Sequence, residues 1–190
     1  SDYMVSNHSY GTIAGWNYGT ITNVGTGWFW YGIESIYSGT EDVNFGYYGQ
    51  PDRDFDNIAY NAPQHLIIKS ASNDREEGPN GTLPEHWSRN ASYQWVKFFN
   101  VARPKDCEQT GFDCIPTSSL GKNIITIGSV QPLTGRYSQP SDVLIANDSS
   151  FGPADDGRIK PDVVAVGINV YSANNSGVNQ YTSFNGTSFS

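Results

Sequence analysis

The chain has 190 residues, 37% hydrophobic and 16% charged, with 19 acidic against 11 basic side chains and a formal net charge of −8. That length suffices for one domain with a sizeable core. The acidic balance leaves no basic patch to neutralise phosphates, which argues against nucleic acid as a partner, and no apolar run reaches the ~18 residues of a membrane span.

Tyr3-Met4-Val5 begins a short strand that runs into Asn7-His8-Ser9-Tyr10-Gly11. From Gly11 to Gly49 the chain is dense in aromatics, among them Trp16, Tyr18, Trp28, Phe29, Trp30, Tyr31, Tyr47 and Tyr48. Such density favours strands or a folded loop over helix. It reads as an insertion packed on its own aromatics, in preference to an aromatic rim or a sugar-binding platform. Pro51 to Pro63 reads as a helix, with Asp52 or Asp54 capping its start and Phe55, Ile58, Ala59 and Ala62 on one face. His65 to Asn73 reads as a buried strand with a polar tip. Strand, helix and apolar strand in succession form a βαβ unit, and so predict a parallel sheet. Asn73 then lies at the strand end where such folds place ligand-contacting residues.

Asp74 to Gly121 is polar and too long for a bare loop, so it is expected to be a structured insertion anchored by Trp95, Phe98 and Phe99. Glu85 and His86 offer only a weak metal pair, and His86 is read as a solvated loop histidine. Cys107 and Cys114 are too few for a zinc site and either close a short disulfide loop or stay free. Asn123 to Val130 is a further buried strand, Ser149 to Pro153 a turn, and Pro161 to Val166 another strand. Gly186-Thr187-Ser188 is a small-residue turn presenting a hydroxyl where a helix N-terminus would favour developing negative charge. Sparse lysine with many Tyr, Trp, Asn and Gly suits a secreted protein. No signal-peptide pattern appears within the sequence, which starts abruptly at Ser1 in the manner of a chain that has lost one, and the sequons at Asn7 and Asn90 matter only in a eukaryotic secretory route.

The ordered run Ser150-Phe151-Gly152-Pro153, Gly157-Arg158-Ile159-Lys160-Pro161-Asp162-Val163-Val164-Ala165, Gly167 and Gly186-Thr187-Ser188 resembles the C-terminal part of the catalytic domain of the subtilisin-like serine proteases. The resemblance covers nearly the whole chain and implies an α/β fold, three-layered, with a mainly parallel sheet of subtilisin type. The 190 residues then form one partial peptidase domain, incomplete, with insertions at about 12–50 and 74–121. By resemblance Ser188 matches the nucleophile and Asn73 the side-chain donor to the oxyanion. Ser9, Tyr10 and Gly11 match the cleft strand that pairs with an extended peptide, and Ala71 and Ser72 the facing wall. Ser72 stands where the family usually has glycine, and Val166 where it commonly has proline. The resemblance implies peptide or protein substrates and no cofactor. Structural calcium, common in the family, is considered at Asp74, Glu76 and Glu77, although no regular ligand spacing appears there.

A serine hydroxyl needs a base, and the base an orienting partner. In this family the aspartate and histidine precede the cleft strand, in the order Asp, His, Ser. None of His8, His65 and His86 has the expected context, and His8 is rejected as the base. The chain is therefore expected to be part of a serine endopeptidase, itself inactive, with the remaining triad members outside it. The alternative is a catalytically inactive relative that binds peptides. A carbohydrate-binding or structural module ranks last, because it leaves the Gly-Arg-Ile-Lys-Pro-Asp and Gly-Thr-Ser pattern unexplained.

Overall fold

The computed structural model of the chain describes residues 4–33, 40–81, 85–108 and 112–190. In chain order the elements are β1 (Met4–His8), β2 (Trp16–Ile21), β3 (Gly25–Trp30), α1 (Gln50–Asn61), β4 (His65–Ser70), β5 (His86–Arg89), β6 (Trp95–Phe98), β7 (Ile125–Val130), β8 (Val163–Val166), β9 (Val170–Ala173) and β10 (Tyr181–Phe184). Short 3₁₀ turns occupy Pro140–Asp142 and Thr187–Phe189.

The frame is a four-stranded sheet in the order β1-β4-β7-β8, with every pairing parallel. Parallel neighbours need a crossover, and α1 lies in the one between β1 and β4. This is the α/β fold expected from the sequence. Observed limits are tighter than those read from the pattern: the helix ends at Asn61, β4 stops at Ser70, β7 begins at Ile125 and β8 at Val163. Tyr3, read as the start of the first strand, lies outside the described residues.

The helix buries a different face from the one its apolar spacing predicted. Ile58 is 50% exposed, whereas Asp52 and Asp56 are buried. Both carboxylates bind the chain that leads into β7. Asp52 accepts from Gly49 N–H (2.9 Å), Thr117 Oγ1–H (2.7 Å) and Leu120 N–H (2.7 Å). Asp56 accepts from Tyr48 O–H (2.6 Å) and from the N–H groups of Lys122 (2.8 Å) and Asn123 (2.7 Å). Buried carboxylates are tolerated when such donors satisfy them. Here that requirement outweighs the short apolar stripe of Phe55 and Ala59, which is only half-buried.

The two insertions do not fold separately. Their strands join in a second sheet of order β2-β3-β5-β6, in which β3 from the first insertion pairs parallel with β5 from the second. Its aromatics pack on one another. Trp16, Phe29 and Trp30 are buried, Trp16 meets Trp28 edge-on, and Phe29 stacks on Trp87 and meets Trp95 edge-on. His86 corrects the sequence reading. It is buried in β5, stacked on Phe98 and edge-on to Trp16, because the aromatic sheet encloses its strand. Glu85 forms an ion pair with Lys97. Two carboxylates hold the root of β2, with Asp42 accepting from Gly15 N–H (2.9 Å) and Asp106 from Trp16 N–H (2.8 Å). Next to Asp106, Cys107 is disulfide-bonded to Cys114.

Asp56→Ala leaves three donors without their acceptor and is expected to destabilise the chain by roughly 2–4 kcal/mol in urea unfolding, with Asp56→Asn losing less. A loss below ~0.5 kcal/mol for the alanine variant would show that Asp56 does not pin this loop.

Candidate active site

The site is built where β4 leaves the sheet. Ala71 is fully buried, donates its N–H to the Ile127 carbonyl (2.9 Å) and packs with Ile115, Leu120 and Ala154. With Ala71 fixed in the core, the chain turns sharply at Ser72, whose φ is +83°. An L-residue in that left-handed region bears about 1–2 kcal/mol of strain that glycine avoids. The serine noted as a departure from the family pattern therefore occupies a backbone conformation that glycine takes freely. Ser150 braces the turn, giving its N–H to the Ser72 carbonyl (3.0 Å) while its hydroxyl accepts from Asp74 N–H (3.0 Å). Between them Asn73 projects outward, exposed.

The second half of the site comes from the end of the chain. The hairpin β9–β10 leads to Gly186, whose N–H donates to the Gly167 carbonyl (2.8 Å). Phe184 stacks on Phe189 with ring centroids 5.0 Å apart, bracketing the 3₁₀ turn that holds Ser188. Asn73 Oδ1 accepts two hydrogen bonds from Thr187, one from its N–H (2.8 Å) and one from its Oγ1 (3.1 Å). A backbone N–H is always a donor, so the amide oxygen faces Thr187 and the NH₂ faces the other way. A side chain on Gly186 would put its Cβ 3.3 Å from Asn73 Nδ2, and its φ of +132° disfavours any other residue. Ser9 Oγ reaches the Ser188 carbonyl (3.2 Å), tying the first strand to the last turn.

Ser9, Tyr10, Gly11, Ser72, Asn73 and Ser188 together line one cavity of about 220 Å³. Six of the seven residues singled out from the sequence thus share one space. The seventh, Ala71, lies beneath it in the core. Asn17, Ser70, Asp74 and Ser119 also line it. Asp74 directly follows Asn73, so its place was open to inference. Asn17 gave no signal, because it reaches the cavity only through the fold of the aromatic insertion. None of the three histidines lines this cavity. His8 instead bonds Ser6 Oγ (2.8 Å) and Tyr10 O–H (2.6 Å).

Burial pushes the Asp74 carboxyl up to about 7; a hydrogen bond from Ser72 opposes this and the nearby Asp42 adds to it. Burial and then Asp74 push Glu77 up to about 7. Asp106 is raised well above the carboxylate range, first by burial and then by Asp74, Glu77 and Asp42, against the stabilising Trp16 N–H. These acids do not form a cation cage. Glu76 is exposed and lies 4.0 Å from Arg75, and no group of three or more His, Cys, Asp or Glu among the described residues is arranged to hold a metal.

A serine hydroxyl and an oriented carboxamide at the rim of one cavity, beside the C-terminal ends of parallel strands, are parts from which acyl-transfer chemistry is built. The sequence pattern of the subtilase family matches residues 1–190, and the chain belongs to that family. No curated protein matches it. It is a serine-peptidase-type domain, which implies peptide or protein substrates. No helix among the described residues is long and apolar enough to cross a membrane.

The raised acids fix a pH dependence. Asp74, Glu77 and Asp106 bind protons more tightly folded than unfolded, so their contribution to stability is full below about 4, and that of Asp74 and Glu77 declines as pH rises through about 7. His8, lowered by burial, works in the opposite sense below its ordinary value of 6.5. Thermal unfolding is expected at a higher temperature at pH 5 than at pH 7.5, and Asp74→Asn with Glu77→Gln should flatten the difference. An unfolding temperature that rises over that interval would contradict the assignment.

Proposed function

We propose that the chain carries the nucleophile and oxyanion half of a secreted serine endopeptidase. Ser188 attacks the peptide carbonyl to form an acyl-enzyme. Asn73 Nδ2 and the Ser188 N–H hold the oxyanion. An extended peptide lies along Ser9-Tyr10-Gly11 as an added strand and seats one side chain in the cavity. The observation that carries this reading is the grip of Thr187 on Asn73 Oδ1, which orients the carboxamide with its donors free for a developing negative charge. Because Ser9, Asn17, Ser70, Ser72, Asp74 and Ser119 line the cavity beside Ile13 and Pro116, it favours a polar side chain over a wholly apolar one.

The base and its orienting carboxylate come, in this reading, from residues outside these 190, and the isolated chain does not turn over substrate. The placement of all three histidines away from the cavity also favours a second reading, a catalytically inactive relative that binds peptide in the same cleft. The Cys107–Cys114 disulfide supports an oxidising, extracellular setting.

In the full-length protein, Asn73→Ala is expected to lower kcat by about 10²–10³, a magnitude taken from a subtilisin's own oxyanion asparagine, with KM little changed. Steady-state kinetics on a peptide substrate, set beside the affinity of an uncleavable peptide, provide the check. Equal losses in turnover and in ground-state affinity would remove Asn73 from the oxyanion role.

A further inference from the structure

Lys69 stands in the apolar run Leu66-Ile67-Ile68 of β4 and is fully buried. A buried ammonium ordinarily meets a carboxylate. Lys160 does so, with its Nζ 2.6 Å from Asp162 Oδ2. Lys69 forms no such ion pair among the described residues. Its Nζ donates to the backbone carbonyl of Tyr10, the middle residue of the peptide-facing segment. Two aromatic faces complete its surroundings, Tyr10 with its ring centroid at 4.5 Å and Phe55 of α1 at 5.3 Å. Such faces attract a desolvated cation.

The backbone leaves room for this contact. A Cβ added to Gly11 would sit 3.2 Å from Ser118 Oγ and 4.0 Å from Lys69 Nζ. The ammonium thus lies within ordinary van der Waals reach of this glycine, and the tighter constraint on a side chain here is Ser118. Fixing the Tyr10 carbonyl leaves fewer backbone conformations open to Ser9-Tyr10-Gly11, the segment on which an added strand would pair.

We propose that Lys69 is a positioning residue for substrate: its ammonium grips the Tyr10 carbonyl and thereby holds Ser9-Tyr10-Gly11 in the geometry that accepts a peptide strand. The proposal rests on the reading of that segment as the peptide edge. It also gives substrate binding a pH dependence of its own, beside that of Asp74 in the same cavity, because a neutral amine is a weaker donor to a carbonyl than an ammonium. Burial pushes Lys69 down to about 8, opposed by Asp52 of α1. The other titratable or charged groups on this side are His8 and Tyr10 from the first strand and its extension, His65 at the start of β4, and Lys160, which bonds Thr126 of β7, the residue paired with Lys69. His8 is itself held below its ordinary value by burial, Lys69 and His65, so it is neutral where the lysine titrates.

The test uses the full-length protein with Ser188→Ala, so that a fluorescein-labelled casein peptide binds without cleavage. Lys69→Met is expected to weaken that binding roughly tenfold at pH 7, and the parent to lose a similar factor between pH 7 and pH 9. Lys69→Arg, which keeps its charge, is expected to bind without the parent's tenfold fall between pH 7 and pH 9. Binding by Lys69→Met at the parent's affinity and with the parent's pH course would overturn the proposal. The ¹³C resonance of the Tyr10 carbonyl separates this from failure of the peptide-edge reading. A titration step near pH 8 that Lys69→Met abolishes supports the lysine's grip whether or not peptide binds, and absence of the step overturns it. No peptide binding to any variant at any pH would overturn the peptide edge itself.

Discussion

The candidate site depends on one contact, the acceptance by Asn73 Oδ1 of two hydrogen bonds from Thr187, 114 positions along the chain. It joins the loop after β4 to the final turn and sets the direction of the Asn73 amide. Everything around it serves to present those two partners. Ala71, locked in the core, and Ser72, in a left-handed conformation, turn Asn73 out of the sheet. Gly186 keeps the amide clear, and the Phe184–Phe189 stack brackets the turn that follows. Thr187 fixes the direction of that amide without substrate, which is what the proposed oxyanion role of Asn73 requires.

The same economy appears in the way the chain uses its acids. A net charge of −8 on a chain with few charged residues invites a search for a cationic ligand. Several of the carboxylates instead act inside the fold as acceptors for backbone N–H groups. Asp52 and Asp56 fasten the approach to β7 onto α1, and Asp42 and Asp106 fasten β2 at its root. Long loops can be ordered this way without a large apolar core, because each carboxyl acceptor satisfies donors that would otherwise be buried unpaired. The consequence is a cluster of acids that resist ionisation beside the cleft, with Asp74 belonging to both.

Much of the parallel sheet was legible in the sequence. The runs around Ile67 and Ile127 are long and apolar, and the helix between β1 and β4 is bounded by proline. The face that helix buries was not legible, since Asp52 and Asp56 look like solvent-facing residues until their partners at Leu120 and Asn123 are brought near. Nor was the union of the two insertions, because the pairing of Phe29 with Trp87 is a long-range parallel contact that no local period encodes. His86 was misread for the same reason. At the site, Ser188 and Asn73 stood out through the motifs around them, whereas Asn17 reaches the cavity only by way of that second sheet. Cysteine spacing alone left Cys107 and Cys114 undecided, since it does not specify how closely the fold brings their Cα atoms together, which is 5.6 Å.

The most direct measurement is covalent labelling of the full-length protein with a fluorophosphonate, followed by peptide mapping of the adduct. An oriented nucleophile beside a pre-set oxyanion donor predicts a single adduct, on Ser188, formed more slowly in the Asn73→Ala variant and lost in Ser188→Ala. A folded protein that takes no label, or takes it on another serine such as Ser119, would contradict the assignment of Ser188 as the nucleophile.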